Sequence, residues 1–272
     1  MTEDWLRVRR GKAPLIVSLP HAGTKIPEDI ERKLHSPWLA RKDTDWWVGR
    51  LYEFAGTLDA TIIATEMSRT VIDVNRDPSG ASLYPGQATT GLCPVTTFDG
   101  EALYPAGHEP GTAEIAERRQ RYFDPYHRAL ADEIDRLRLQ SARVVLYDAH
   151  SIRSRIPRLF DGVLPHFNLG TDNGRTCAPE LAAALESLGA TSGLTWVANG
   201  RFRGGWTTRH YGNPPRAIHA VQMELACRTY MDEPQEPLGP DNWPPDFDAS
   251  RAANARGAIF AMLGACLRFA NS

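Results

Sequence analysis

Two apolar runs of β type, far apart in the chain, each end on a histidine. His21 follows the run at 15–20, Leu-Ile-Val-Ser-Leu-Pro, and His150 follows the run at 144–149, Val-Val-Leu-Tyr-Asp-Ala. Short, continuous apolar runs are typical of strands that are buried on both faces of an α/β sheet. Because ligands bind at the carboxyl edge of such a sheet, the pattern predicts that both imidazoles face one site. Two imidazoles at one site suggest a metal ion.

Strand-like and helix-like segments alternate along the chain. This alternation predicts an α/β fold with a mixed, largely parallel central sheet flanked by helices. The chain has 272 residues, of which 42% are hydrophobic, and we expect residues 1–272 to form a single domain around a substantial core. The expected strands are 14–19, 60–64, 70–74, 143–147, 194–198 and 217–225.

The expected helices are separated by loops rich in glycine and proline. Pro125 lacks a backbone donor, so we expect it to break or kink the helical stretch around it. The passages 77–110 and 199–215 are too long for ordinary connections and are expected to be functional loops. The segment 232–250 is expected to be an extended surface segment. The helices are expected at 45–54, 114–123, 125–139, 179–188 and 252–269.

Charge and cysteine content exclude several classes of function. The formal net charge is −2 and the basic residues are dispersed along the chain, so neither nucleic acid nor a membrane surface is an expected partner. The longest apolar stretch, 258–267, is too short to span a bilayer. The four cysteines are scattered without a CxxC pair, which argues against a disulfide framework or a thiolate zinc site and favours the cytoplasm. Oligomeric state is left open.

The third ligand of the expected metal site is sought among acidic residues. A hydrolytic zinc ion usually takes three nitrogen or oxygen ligands from the protein and leaves one position for water. His21 and His150 supply two ligands, and we predict Asp45 as the third, with Asp43 as the alternative. Both aspartates lie where a helix is expected to begin, and for either one taken alone the better explanation is a helix N-cap. The expected cofactor is one divalent metal ion, with zinc preferred among the metals that suit these ligands.

Two further groups carry candidate chemistry. Asn75 and Arg76 follow the predicted strand 70–74, and the rigid fork of an arginine matches a carboxylate bidentately while a neighbouring amide orients the same anion. The alternative is an ordinary strand exit with a surface arginine. Glu224 lies inside the apolar run 220–225, and because a buried glutamate is rare unless it is paired or functional, we predict it to be a general base. Its alternative role is to neutralise a buried arginine.

The order of these residues resembles the zinc carboxypeptidase-type architecture. A histidine after the first predicted strand is followed by a carboxylate, an Asn-Arg pair, a second histidine and a late glutamate. In that architecture two histidines and a carboxylate hold the metal, the Asn-Arg pair binds a substrate carboxylate, and the late glutamate activates water. The peptidases place the acidic ligand three residues after the first histidine, where this chain has Thr24, so the resemblance leaves the third ligand open.

A closer resemblance covers most of the chain. Several motifs are similar, and in the same order, to those of the N-formylglutamate amidohydrolase family. The resemblance implies metal-dependent hydrolysis of N-formyl-L-glutamate to formate and L-glutamate, the closing step of one route of histidine degradation. It also implies that His21 and His150 are metal ligands and that Glu224 is catalytic. The motifs are 18–24 (SLPHAGT), 43–46 (DTDW), 68–69 (SR) with 73–78 (DVNRDP), 83–87 (LYPGQ), 148–152 (DAHSI), 199–205 (NGRFRGG) and 219–225 (HAVQMEL).

The implied substrate is a small dianionic N-acyl amino acid, which requires two cationic anchors. We predict that Asn75 and Arg76 bind its α-carboxylate. Arg203, which precedes two glycines where backbone can approach a ligand closely, or Arg209 is predicted to reach the side-chain carboxylate. A merely solubilising role is the alternative for both. Arg69 is predicted to stabilise the oxyanion formed during hydrolysis. The arginines available for these roles are Arg69, Arg76, Arg201, Arg203 and Arg209.

Two other functions stay open. One is a related N-acyl-amino-acid deacylase or small carboxypeptidase, which would use the same chemistry on a different substrate. The other is a catalytically inactive module that binds acidic amino acids. The presence of His21, His150 and Glu224 in one chain argues against the inactive module.

Overall fold

The computed structural model describes residues 4–82, 86, 89–235 and 237–272. Within these ranges, seven strands form one sheet, and their order across it is the first, third, second, fourth, seventh, fifth and sixth in the chain. Four neighbouring strands of the sheet, which are the third, second, fourth and seventh in the chain, carry or adjoin the candidate site. The strands are β1 (Leu6–Arg9), β2 (Leu15–Leu19), β3 (Thr61–Thr65), β4 (Val144–Ile152), β5 (Phe167–Gly170), β6 (Trp196–Ala198) and β7 (Ile218–Ala226).

The sheet is mixed and largely parallel, as the sequence predicts. β3, β2, β4 and β7 run parallel to one another. β1 is antiparallel to β3, β5 is antiparallel to β7, and β6 is parallel to β5. The carboxyl ends of β2, β4 and β7 therefore meet at one edge, where an open α/β sheet binds its ligands.

Helices cover both faces of the sheet. One core contains side chains of α4, and the core on the opposite face contains side chains of α2, α5 and α7. The helices are α1 (Glu28–Glu31), α2 (Val48–Leu51), α3 (Thr112–Arg118), α4 (Asp124–Arg138), α5 (Pro179–Thr191), α6 (Trp206–Tyr211) and α7 (Ala249–Asn271). Among the described residues, no helix combines the length and apolar character that crossing a membrane requires.

Successive side chains of the central strands enter different cores. Val17 of β2 lies in the core shared with α2, α5 and α7, whereas Ile16 lies in the core shared with α4. In β4, Val145 and Val144 divide in the same way, as the two-residue period of a strand requires. Both strands are buried throughout, which explains why their sequences are continuous apolar runs.

One predicted strand is wrong, and two observed strands are not predicted. The segment 70–74 forms turns and irregular structure instead of a strand, and its apolar residues are buried in the core that contains α4. Its apolar pattern thus reflects burial and not β structure. The sequence pattern does not predict β1, which is a mostly exposed edge strand, or β5, which has only four residues.

The helix predictions also need correction. The predicted helix 45–54 is reduced to α2 and a following 3₁₀ turn, Glu53–Leu58. The helical stretch continues through Pro125, which lies in the first turn of α4, where its missing N–H costs little. The expected break is therefore wrong, while a kink at this position stays a prediction. The preceding turn, Arg119–Phe123, is π-helical and connects α3 to α4.

The predicted functional loops are only partly irregular. The passage 199–215 contains α6, and within 77–110 a bridge joins Thr96 to Ala102. Most of the motif at 83–87 lies outside the described residues. The described residues of 232–250 are mainly turns and irregular chain before α7 begins.

Candidate metal and active site

His21, Asp45 and His150 come together at the carboxyl edge of the sheet. His21 follows the end of β2 and His150 lies near the end of the neighbouring parallel strand β4. Asp45 enters from the loop before α2, and its backbone amide donates to the carbonyl oxygen of His21 at 3.0 Å. One ligand atom from each residue lies within 4.8 Å of the other two. All three residues are buried.

The Asp45 carboxylate lies between the two imidazoles. Its Oδ2 atom is 3.1 Å from Nδ1 of His150 and 3.7 Å from Nδ1 of His21. The backbone amide of Ser151 donates to the same oxygen at 3.1 Å and holds the carboxylate in place. Two ring nitrogens and a carboxylate oxygen therefore face one another, which is a ligand set that a catalytic zinc ion uses.

Each imidazole is held at its other nitrogen by a second buried carboxylate. Nε2 of His21 lies 2.7 Å from Oδ1 of Asp73, and Nε2 of His150 lies 3.0 Å from Oδ2 of Asp148. Metal-binding histidines almost always donate their second ring N–H to a carboxylate, a carbonyl or water, which leaves the first nitrogen for the metal. Both histidines are therefore arranged to present Nδ1 to a cation.

The donor set fits a divalent transition metal. Nδ1 of His21 is buried and, within the described ranges of the chain, has no hydrogen-bond partner. A buried polar atom without a partner is energetically costly. Coordination of a cation by Nδ1 would remove that cost. Nitrogen and carboxylate ligands suit zinc and several other divalent metals.

Asp43, the alternative third ligand, points elsewhere. Its Oδ2 accepts a hydrogen bond from the backbone amide of Phe98 at 2.6 Å, and its Oδ1 accepts from Arg153 at 3.2 Å. The metal-compatible group of described residues contains Asp45 and not Asp43. The structure thus brings Asp45 to the histidines and ties Asp43 to a different loop.

Opposite charges dominate the electrostatics of the site. Burial acts to raise the pKa of Asp45, but the two imidazoles outweigh it and lower that pKa below its usual value. Burial likewise opposes ionisation of Asp73, yet the surrounding positive charges hold its pKa well below the usual range. Burial acts to lower the pKa of His150, and the Asp148 carboxylate outweighs this and raises the pKa well above its usual value. The buried carboxylates therefore favour positive charge at His150, from a proton or from a metal ion.

Arg69 connects two of these carboxylates. Its Nη1 lies 3.4 Å from Oδ1 of Asp45, and its Nη2 donates to Oδ2 of Asp73 at 2.7 Å. The guanidinium also lies 4.7 Å from the centre of the Phe98 ring. Arg69 is buried and lines the cavity beside the site, so its positive charge is held next to the three ligand groups.

Glu224 lies beside His150 on the adjacent strand. The two residues are register partners in the parallel pairing of β4 with β7. Burial raises the pKa of Glu224 to about 7, while the charge of His150 opposes the increase. Nε2 of Gln222 donates to Oε2 of Glu224 at 2.9 Å. A buried carboxyl group with a pKa near neutrality has the property that a general base requires.

A cavity of about 340 Å³ opens beside the site, and its lining includes His21, His150 and Glu224. The remaining described lining includes Asp77 and several polar side chains. Its three arginines and its large apolar side chains together suit a small anionic molecule with an aliphatic chain. The cationic residues are Arg69, Arg76 and Arg201. The apolar residues are Leu92, Phe98, Ile152, Leu159 and Phe202.

Arg203 and Arg209, the predicted ligands of a substrate carboxylate, do not belong to the described lining of this cavity. Arg203 is exposed, and its Nε contacts a carbonyl oxygen of its own loop at 3.3 Å. Nε of Arg209 donates to the carbonyl oxygen of Gly204 at 2.9 Å and lies 3.5 Å from Asp172. Arg201, from the same loop, lines the cavity instead.

Asn75 lines the cavity, and its amide group is bonded to the protein. Oδ1 of Asn75 accepts from the backbone amide of Thr207 at 2.8 Å, which turns Nδ2 toward His150 and Asp148. Nδ2 of Asn75 lies 3.4 Å from the same Asp148 oxygen that holds His150. Asn75 therefore supports the orientation of His150, and its predicted contact with substrate stays a prediction.

Sequence reasoning did not assign roles to Asp73, Asp148 and Gln222. Asp148 is a carboxylate within an apolar run, the same signal that identified Glu224, and it lies two residues before a histidine on the same side of the strand. Gln222 likewise lies two residues before Glu224 and on the same side of its strand. No sequence pattern predicts that Asp73 contacts His21, because the segment 70–74 is irregular.

Comparison with known proteins identifies the family of the chain. The family described as N-formylglutamate amidohydrolase matches residues 13–231 of the chain. The chain belongs to the N-formylglutamate amidohydrolase family. The matched range begins before β2 and ends after β7, so it contains His21, Asp45, His150 and Glu224.

Two relatives of the family match the chain over most of its length. A protein of Pseudomonas aeruginosa named N-formylglutamate deformylase is 48% identical over 236 residues, which are 85% of this chain and 87% of the relative. A protein of Pseudomonas putida with the same name is 49% identical over 233 residues, which are 84% of this chain and 85% of the relative.

Solved structures show that the fold is shared over nearly the whole chain. The crystal structure of N-formylglutamate amidohydrolase from Ralstonia eutropha matches with a TM-score of 0.79 at 22% identity and covers 98% of both chains. A protein of Agrobacterium tumefaciens matches with a TM-score of 0.73 at 20% identity, over 98% of this chain and 96% of that one. These matches confirm the α/β fold of the amidohydrolase family.

Proposed function

We propose that this chain hydrolyses N-formyl-L-glutamate to formate and L-glutamate. The observation that carries the proposal is the convergence of His21, Asp45 and His150 beside Glu224. Two relatives at 48% and 49% identity are named N-formylglutamate deformylase, which supports the choice of substrate. The proposal includes one divalent metal ion, zinc, which His21, Asp45 and His150 would hold.

The substrate is a dianion, and three arginines line the cavity. Arg69 lies at the metal site, bonded to Asp45 and Asp73, and we assign the other two, Arg76 and Arg201, to the two substrate carboxylates. Arg76 also lies 3.6 Å from Oδ2 of Asp73. Nε of Arg76 donates to the carbonyl oxygen of Thr90 at 3.0 Å, which anchors the side chain in the cavity wall. Arg76, with Asn75, binds the α-carboxylate. Arg201 takes the side-chain carboxylate, a role that the sequence analysis gave to Arg203 or Arg209.

The chemistry of hydrolysis requires a base, an acid and stabilisation of negative charge. When bound, the metal supplies Lewis-acid chemistry, which lowers the pKa of water and polarises the formyl oxygen. Glu224 accepts a proton from the attacking water and donates it to the amino nitrogen of glutamate as the C–N bond breaks. Arg69 stabilises the negative charge that develops on the formyl oxygen. The pKa of Glu224, about 7, suits both proton transfers.

The cellular location and the metabolic role of the protein complete the proposal. The four cysteines are buried and free, which fits a reducing compartment, and we place the protein in the cytoplasm. The proposed reaction would close one route of histidine degradation, as the family resemblance implies.

The decisive experiment compares three substrates with metal-replete protein. The substrates are N-formyl-L-glutamate, N-acetyl-L-aspartate and a short peptide with a C-terminal glutamate. We expect the highest kcat/KM for N-formyl-L-glutamate, measured by formate release, and one zinc ion per chain by elemental analysis. A higher kcat/KM for N-acetyl-L-aspartate or the peptide would indicate a deacylase or a small carboxypeptidase. Binding of glutamate without turnover of any substrate would indicate an inactive module and would overturn the proposal.

A further inference from the structure

Gln222 lies between the proposed general base and the loop that begins α6. Gln222 and Glu224 are two residues apart on β7, so they face the same side of the sheet, and both line the cavity. Gln222 is buried, with a relative exposure of 4%. Its Nε2 donates to Oε2 of Glu224 at 2.9 Å, and its Oε1 accepts from the backbone amide of Gly205 at 2.6 Å.

The orientation of the Gln222 amide group follows from the chemistry of its partners. A backbone N–H only donates, so the atom of Gln222 that faces Gly205 is the carbonyl oxygen. The amino group of Gln222 consequently faces Glu224, whose carboxylate only accepts when it is ionised. Both ends of the amide are therefore bonded in the single orientation that satisfies both partners.

The support behind Gln222 is rigid. A Cβ atom at Gly205 would lie 2.3 Å from Nδ2 of Asn75, so the backbone of Gly205 packs directly on the Asn75 side chain. Two residues later, the amide of Thr207 donates to Oδ1 of Asn75 at 2.8 Å. The glycine at 205 thus permits close contact between the loop and Asn75, and it also lines the cavity. The residues at the start of α6 therefore hold Gln222 through the amide of Gly205 and are themselves bonded to Asn75.

We propose that Gln222 is a positioning residue that holds one oxygen of the Glu224 carboxylate and thereby turns the other oxygen toward the attacking water. Among the described residues, Gln222 is the hydrogen-bond donor to this carboxylate. The inference rests on the proposed function, since it assumes that Glu224 is the general base. It adds a residue that acts through Glu224 and connects the base to the loop that also supports Asn75.

Two substitutions separate the hydrogen bonds of Gln222. Gln222→Met keeps the length of the side chain and removes both bonds. Gln222→Glu is measured at alkaline pH, where the added carboxyl group is ionised; it then keeps an acceptor for the amide of Gly205 and has no proton to donate to Glu224. Gln140→Met, at an exposed position in the turn that follows α4, is the matched control. For each zinc-loaded variant, we measure kcat and KM for N-formyl-L-glutamate, the zinc content and the unfolding temperature.

We expect both Gln222 variants to lose kcat by about ten-fold or more, because misplacing the base forfeits part of the general-base contribution. KM should stay within about two-fold of the wild-type value, since substrate binding is unchanged, and one zinc ion per chain should remain. Gln140→Met should behave as the wild type. A crystal structure of Gln222→Met should show the Glu224 carboxylate in a different rotamer.

Several outcomes would overturn the positioning role. These are an unchanged kcat in either Gln222 variant that is folded, a raised KM with unchanged kcat, loss of zinc, or an unchanged Glu224 rotamer in Gln222→Met. If Gln222→Met does not fold, Gln222→Glu alone decides the kinetic result. Failure of the proposed function is distinct, because the zinc-loaded wild type itself would then release no formate.

Discussion

His150 and Glu224 are register partners on adjacent parallel strands, which places an imidazole and a carboxylate side by side at the carboxyl edge of the sheet. Both residues are buried and line one cavity. β4 supplies the imidazole and β7 supplies the carboxylate, so the pair exists only when the sheet has formed. The proposed roles, metal ligand for His150 and general base for Glu224, depend on different atoms and are therefore separable by substitution.

Replacement of Glu224 tests the general base. In Glu224→Gln the side chain keeps its size but accepts no proton, so we expect turnover to fall by on the order of 10² or more. The zinc content should stay at one ion per chain because the three proposed ligands are untouched. Formate release and elemental analysis measure the two quantities. Glu117→Gln, on the exposed side of α3, serves as the control, and full activity in Glu224→Gln would exclude the role.

Replacement of His150 tests the metal site. His150→Ala removes a proposed ligand and leaves an incomplete donor set, so zinc stoichiometry itself should fall after dialysis, together with activity. The exposed His108 provides the matched variant His108→Ala, which should retain one zinc ion per chain. If dialysed His150→Ala still carries a full complement of zinc, His150 is not a ligand.

Replacement of Asp148 tests the support behind His150. Asp148 holds Nε2 of His150 at 3.0 Å, and partners of this kind contribute about 10-fold to 100-fold to metal affinity. Asp148→Asn should therefore bind zinc about 10-fold to 100-fold more weakly, as measured by competition with a chelator. Asp161→Asn, on the surface, should bind zinc as the wild type does. Equal affinities in the two variants would show that this carboxylate does not assist coordination.

Two arginines of one loop distinguish the sequence-based and structure-based assignments of the substrate anchor. Arg201 lines the cavity, whereas the exposed Arg203 does not. Because a hydrogen bond to a charged group contributes about 1.5–3 kcal/mol, Arg201→Ala should raise KM for N-formyl-L-glutamate by about ten-fold or more. Arg203→Ala should leave KM near the wild-type value. If steady-state kinetics instead show a raised KM for Arg203→Ala and an unchanged KM for Arg201→Ala, Arg203 is the residue that binds the substrate carboxylate.

The buried central strands of the sheet are predictable from the sequence, whereas the strands at its edges are less so. β2, β4 and β7 are found because strands buried on both faces select continuous apolar runs. β1 is missed since an exposed edge strand carries no such selection. The segment 70–74 is misjudged for a related reason: burial makes its residues apolar even though its backbone is irregular.

The sequence by itself determined which residue types carry the chemistry, because a histidine at the end of an apolar run or a glutamate within one is a local signal of a polar group held at a buried edge. His21, His150 and Glu224 were identified in this way. Only the tertiary structure decided that Asp45 faces the histidines while the amide of Phe98 binds Asp43. In loops the direction of a side chain has no fixed period, and it is set by partners that are distant in sequence.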